Sequence, residues 1–234
     1  TTLSDIAVTP DGSMVYLVTA NTTGNGLSVW MLDDRWERIY SNDDGTNDYI
    51  IRLAPDDPDV IYLADAGGTS VFFNSSGGAD KWHTRIYKET TGIVDLAVET
   101  DGDTVYILTT LGYVSKSSNR GFTWDSKKSS KLTGGSSMIA SLGEDLVIAG
   151  SSEGRVSYST DGNTSWTKLS DEDFAETGLV QVTATGLADG DFVIAASNHE
   201  IYSWELGEAD DWDDISPSAF SSGNVTTGIG IFNG

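Results

Sequence analysis

The stretch Asp95-Leu96-Ala97-Val98, Thr100-Asp101-Gly102, Val105-Tyr106-Ile107, Gly112-Tyr113-Val114-Ser115 and Trp124 decides the fold. It reads, in order, as an apolar run, a turn, a second run around a tyrosine, a short third run, and a tryptophan opening a fourth. Asp-Gly reverses the chain because Gly accepts positive φ and Asp bonds its own backbone. Short apolar runs joined by such turns are β-strands, and no sustained helical period with caps appears anywhere in the chain.

The same order recurs on both sides. Trp36, Trp82, Trp124, Trp166 and Trp212 are spaced by 46, 42, 42 and 46 residues. In phase with them run Val15-Tyr16-Leu17, Ile61-Tyr62-Leu63, Val105-Tyr106-Ile107, Leu146-Val147-Ile148 and Phe192-Val193-Ile194. Turn clusters precede these runs, at Pro10-Asp11-Gly12, Pro55-Asp56-Asp57-Pro58, Gly143-Glu144-Asp145 and Ala188-Asp189-Gly190. A four-stranded unit repeating every ~45 residues predicts an all-β fold, a β-propeller of four-stranded antiparallel blades. A β-solenoid would use shorter coils, and separate sandwiches of this size could not hold a core. The expected organisation is one propeller over 1–234, with blades at about 1–46, 47–91, 92–134, 135–178 and 179–223. The remainder, 224–234, reads as the first strand of a further blade or a closing strand. Five blades and one strand imply a longer chain, or completion by another copy or partner.

The formal net charge is −23, from 36 acidic and 13 basic residues. Such a surface repels phosphate backbones and anionic lipid, so neither nucleic acid nor a membrane surface is an expected partner, and no basic patch is apparent. No apolar run reaches the ~18 residues of a membrane span. The chain has no Cys, which excludes disulfides and thiolate metal sites. It begins at Thr1 without Met, and sequons occur at Asn21, Asn74, Asn163 and Asn224. Acidity and sequons together predict an extracellular or cell-surface location, with a protein or carbohydrate ligand.

The turns before two of the tryptophans are the most specific feature. Ser117-Ser118-Asn119-Arg120-Gly121-Phe122-Thr123-Trp124 reads S-x-N-x-G-x-T-W, and Ser159-Thr160-Asp161-Gly162-Asn163-Thr164-Ser165-Trp166 reads S-x-D-x-N-x-S-W. Both resemble the Asp-box, or BNR, repeat S-x-D-x-G-x-T-W, with Asn119 in place of the Asp in the first and Asn163 in place of the Gly in the second. Ser75 to Trp82 keeps the Ser and Trp but has Gly77 and Ala79 at the Asp and Gly positions. The resemblance implies a propeller like those of sialidases, two-propeller xyloglucanases, sortilin-type receptors and photosystem II assembly factors. It also implies that Ser117, Asn119, Gly121, Trp124, Ser159, Asp161, Trp166 and Trp82 serve the fold. The polar side chains satisfy turn amides, and the tryptophan rings are expected to be buried against the blade. Trp30 and Trp204 lie outside this ladder and are expected to pack at sheet edges.

The enzymes among these relatives need more than boxes. Sialidases use three arginines with a Tyr/Glu pair and an Asp, and only Arg52, in Ile51-Arg52-Leu53-Ala54-Pro55, resembles one of their segments. A glycosidase needs two facing carboxylates. Asp5 and Asp95 hold equivalent first-strand positions two repeats apart and are the candidate pair; the competing reading is an Asp that ties down amides of the adjacent blade. With His83 and His199 as the only histidines, zinc is not expected. No cofactor is predicted. Calcium is the one ion the acidic loops suit, with Asp43, Asp44 and Asp48 as candidate ligands and further acids at Asp171-Glu172-Asp173. The reading is a non-enzymatic exported binding or scaffold module, such as a surface-layer component. The alternatives are a xyloglucanase- or sialidase-type glycosidase, or an assembly factor of the photosystem II type, which would carry a basic patch.

Overall fold

A computed structural model describes residues 2–20, 26–43, 48–88, 91–132, 135–169, 180–197 and 200–218. The terminal stretch 224–234, Asp44, the acids 171–173, His199 and the sequons at Asn21 and Asn224 lie outside the described residues.

The described residues hold no helix and form five four-stranded antiparallel sheets, each with its strands in simple sequence order. The first contains β1 (Thr2–Val8), β2 (Val15–Ala20), β3 (Leu27–Leu32) and β4 (Trp36–Asn42). The second contains β5 (Tyr49–Leu53), β6 (Val60–Asp65), β7 (Ser70–Ser75) and β8 (His83–Ile86). The third contains β9 (Ile93–Val98), β10 (Val105–Thr109), β11 (Tyr113–Ser117) and β12 (Lys128–Ser129). The fourth contains β13 (Ser136–Gly143), β14 (Leu146–Ser151), β15 (Val156–Ser159) and β16 (Thr167–Lys168). The fifth contains β17 (Gln181–Ala184), β18 (Phe192–Ala196), β19 (Ile201–Glu205) and β20 (Asp213–Asp214).

Contacts group the chain into two compact units, Thr1–Ile107 with Lys116–Asp125, and Leu108–Ser115 with Ser126–Gly234. In the first, the core is built from sheet faces. Tyr16, Val18, Leu27 and Val29 pack with Tyr49, Ile51, Ile61, Leu63, Phe72 and Trp82. The other face of the second sheet, with Tyr62, Ala64, Val71 and Phe73, packs on Ile93, Leu96, Val105 and Ile107. A sheet covered on both faces needs apolar residues at every position, which is why Val60-Ile61-Tyr62-Leu63-Ala64 is an unbroken buried run. The second unit has its own core, of Ile148, Val156, Val180, Val182, Val193, Ala195, Tyr202 and Trp204.

The ladder tyrosines are buried with their hydroxyls paired. Tyr62 Oη donates to the Gly102 carbonyl at 2.6 Å and Tyr106 Oη donates to the buried Glu99 carboxylate. Burial pushes the Tyr62 phenol well above its ordinary range. The tryptophan ladder is less uniform. Trp82 and Trp166 are buried and Trp124 and Trp212 half-buried, but Trp36 is 44% exposed. The expectation of a buried ring therefore fails at Trp36, the first residue of its strand. Trp204 is buried edge-on to Trp212 at 5.4 Å, and half-buried Trp30 donates Nε1–H to Thr19 Oγ1 at 3.3 Å. The sequons at Asn74 and Asn163 fall on buried asparagines whose amides are hydrogen-bonded, so the folded chain does not offer them for glycosylation.

The first hairpin shows how a turn is held. Gly12 has φ +72°, and Asp11 accepts from the Ser13 amide (3.0 Å), the Thr9 hydroxyl (2.7 Å) and the Ser13 hydroxyl (2.8 Å). These bonds, led by the Ser13 amide, hold the Asp11 carboxyl at about 2 against an ordinary 3.8. A folded value below the unfolded one stabilises the fold above about pH 4 and is lost as pH falls toward 2. A carboxyl-carbon NMR titration should therefore place the Asp11 midpoint near 2, and Asp11→Asn should flatten the fall in stability across that window.

Candidate functional site

Asp5, Arg52 and Asp95 come from β1, β5 and β9, the first strands of three successive sheets. Asp5 follows a register shift in β1, where the ladder skips between Leu3 and Asp5. The fold brings the three side chains together. Arg52 donates from one terminal nitrogen to Asp5 Oδ2 at 2.7 Å and from the other to Asp95 Oδ1 at 2.6 Å. It also donates to its neighbour's carbonyl, Ile51 O, at 2.7 Å. Asp5 Oδ2 accepts the Ile51 amide of the adjacent sheet at 2.9 Å, and Oδ1 accepts the Ile6 amide at 2.9 Å. Asp95 Oδ1 accepts the Leu96 amide at 2.8 Å. Side-chain exposure is 34% at Arg52, 25% at Asp5 and 4% at Asp95. Burial alone would lower the Arg52 pKa, but the charges of Asp95 and Asp5, and its hydrogen bonds to both, hold it above the ordinary value. The guanidinium stays charged at every accessible pH and is shared between the two carboxylates it bridges.

The bond from the Ile51 amide to Asp5 has a counterpart in the second unit. There Met138 Sδ accepts the Val182 amide at 2.9 Å, and Ser137 Oγ donates to the Val180 carbonyl at 2.8 Å. Side chains on β13 thus tie the lead-in and first strand of the next sheet without any charge.

The boxes are hydrogen-bonded turns. Ser117 Oγ accepts the Gly121 amide (2.9 Å), and Asn119 Oδ1 accepts the Thr123 amide (2.8 Å). In the fourth sheet Ser159 Oγ accepts the Asn163 amide (3.0 Å) and Asp161 accepts both the Ser165 amide (2.9 Å) and its hydroxyl (2.6 Å). Burial would raise the Asp161 pKa, but these bonds outweigh it and hold the carboxyl below its ordinary value. Two successive residues in each box have positive φ: Arg120 and Gly121, then Gly162 and Asn163. Asn is tolerated in this region, and Asn163 uses its side chain twice, accepting Trp166 Nε1–H at 2.7 Å and donating to the Val114 carbonyl at 3.1 Å.

The second sheet has the same turn in a different register from the one its sequence suggests. Ser75 is exposed, and buried Asn74 does its work, accepting the Gly78 amide at 2.8 Å, with Gly77 and Gly78 as the positive-φ pair. One extra residue then precedes Trp82, so counting back from the tryptophan misplaces the polar anchor. A further lock was missed. The first positive-φ residue of each box donates its amide to an Asp carbonyl beside the first hairpin turn: Gly77 to Asp59 (3.0 Å), Arg120 to Asp103 (2.9 Å) and Gly162 to Asp145 (3.0 Å). The signal was present, since an Asp stands just before each of these tyrosine-type runs or at its edge.

Of the calcium candidates, Asp48 accepts a bond from Ser4 Oγ at 3.3 Å. Among the described residues no group of three or more Asp, Glu or His is placed to hold a metal ion. A depression at the β3–β4 turn is lined by Met31, Asp33, Asp34, Arg35 and Glu37, where Arg35 and Glu37 pair at 2.6 Å.

No protein-family model matches the chain, and no curated protein does. Among solved structures it is similar to YCF48 from Cyanidioschyzon merolae, with a TM-score of 0.55 and 19% identity over 77% of this chain. It is also similar to the RRP9 WD40 repeats, with a TM-score of 0.66 and 9% identity over 88% of this chain. It spans 59% and 61% of those two chains. These likenesses and the five four-stranded sheets make the chain a β-propeller.

Replacing Arg52 by Met should leave Asp95 buried without its cation. After discounting for the partial exposure of Arg52, the loss is about 2–3 kcal/mol in urea unfolding.

Proposed function

We propose that this propeller is a non-enzymatic binding or assembly module, exported to the cell surface or the extracellular space. The observation that carries the reading is the state of its two first-strand carboxylates. Asp5 and Asp95 share one guanidinium, and both accept backbone amides. A general acid must give up a proton and a nucleophile must reach an anomeric carbon. Carboxylates held this way are suited instead to joining first strands. The location rests on the −23 charge of the chain.

The rival, a xyloglucanase- or sialidase-type glycosidase, requires Arg52 to release at least one partner. Incubation with sialyllactose and with xyloglucan oligosaccharides, followed by mass spectrometry, should show no cleavage. Product that disappears in Asp5→Asn or Asp95→Asn would overturn the proposal. Protease treatment of intact source cells should remove the protein, and complete protection would refute the exported location.

A further inference from the structure

The three well-formed box turns act as internal controls for one another, and one of them departs from the others in a way the fold does not require. The first positive-φ position is Gly77 (φ +58°) in the second sheet and Gly162 (φ +62°) in the fourth, but Arg120 (φ +60°) in the third. A side chain in this region is strained, because its Cβ crowds the backbone carbonyl oxygen. Two residues on, Ala79 and Thr164 in the sister turns are replaced by Phe122, whose ring is 69% exposed. Neither side chain takes part in the box hydrogen bonds.

Arg120 recovers little of its cost within the protein. Its guanidinium pairs with Asp103 and lies 5.3 Å above the Phe73 ring, but Arg120 and Asp103 are 44% and 47% exposed. An exposed pair of this kind is weak, and the ring contact adds a modest gain. Arg85 of β8 lies beneath Phe122, its guanidinium 5.2 Å from the ring centre. Its Nε is buried without an acceptor, and among the described residues no carboxylate pairs with it. His83, also on β8, stands beside Phe73 at 6.5 Å. Two guanidiniums and an exposed phenyl ring thus share one edge of the first unit.

The charge distribution points the same way. Between Lys81 and Lys131 lie eight of the thirteen basic residues and six of the 36 acidic ones, a local excess of two positive charges. The rest of the chain carries −25 against the total of −23. The net charge therefore conceals a stretch of sequence with a small cationic excess.

We propose that Arg120, Phe122 and Arg85 form a docking site for an acidic peptide segment of a partner protein. Carboxylates of the segment meet the guanidiniums and an apolar side chain covers Phe122. The exposed ring selects a peptide over an anionic glycan, which has little apolar surface to cover it. The site goes beyond the function proposed above and does not depend on whether the chain cleaves a glycoside.

The test is fluorescence anisotropy with a labelled short peptide alternating Glu and Leu, an all-Glu peptide, and heparin. The Glu/Leu peptide should bind with a Kd on the order of 10 µM and weaken as salt rises. R120G and F122T, which restore residues of the sister turns, should each weaken it about tenfold while Tm stays level or rises for R120G. Arg85→Gln should weaken it too. The site is refuted by wild-type protein that does not bind the peptide, by unchanged binding in R120G and F122T, or by equal or tighter binding of all-Glu peptide or heparin.

Discussion

A buried side-chain oxygen at the end of the third strand accepts the amide four residues further on. Ser117, Ser159 and Asn74 all make this bond. The bond orders a turn with two consecutive left-handed residues, and the first of those donates to the Asp carbonyl beside the sheet's first hairpin turn. One polar atom thus links the two turns at the same end of a sheet. The turn is tight at its second left-handed residue. A Cβ on Gly121 would lie 3.3 Å from the Trp124 ring and one on Gly78 would lie 2.3 Å from Ile39 Cδ1. Asn163 escapes because it tolerates the conformation and spends its amide on Trp166 and Val114.

Charge is used sparingly inside this acidic molecule. Arg52 is bonded to two carboxylates, one of them almost fully buried. Removing two carboxylates from water is costly, and one guanidinium placed between them offsets much of that cost through short, charge-assisted bonds. The second unit spans its equivalent junction with a sulfur and a hydroxyl. Since neutral groups suffice there, the ionic version is not a general requirement of the repeat. It is a local solution wherever aspartates occupy the first strands.

The repeat was readable because it is set by burial. Each sheet needs alternating or continuous apolar residues and a turn at a fixed offset, and these leave periodic marks such as Tyr16, Tyr62 and Tyr106. The three residues of the triad were also readable as positions, since Asp5 and Asp95 recur in phase and Arg52 sits on the strand between them. Their mutual bonding was not readable, because it depends on the spacing of strands in different sheets. Two features were misread for physical reasons. Trp36 keeps the spacing of its ladder, but its ring at the start of β4 is only partly covered. Asn74 rather than Ser75 is the anchor because the extra residue before Trp82 shifts the frame by one, a shift that shows only in the hydrogen bonds.

A repeat also separates what a fold needs from what a particular protein adds. Positions with the same conformation in several copies share the same structural demand, so the residue that meets it most cheaply should recur. Glycine does so at the first left-handed position of two box turns, and the exposed position two further on carries Ala or Thr. Arg120 and Phe122 break both patterns in the same turn, at a conformational cost in one case and with exposed apolar surface in the other. The arginine gains only an exposed ion pair and a ring contact with Phe73, and the phenyl ring has the Arg85 guanidinium beneath it while most of its surface stays exposed. Residues that raise the free energy of the folded chain and remain on its surface gain their compensation from something that binds there.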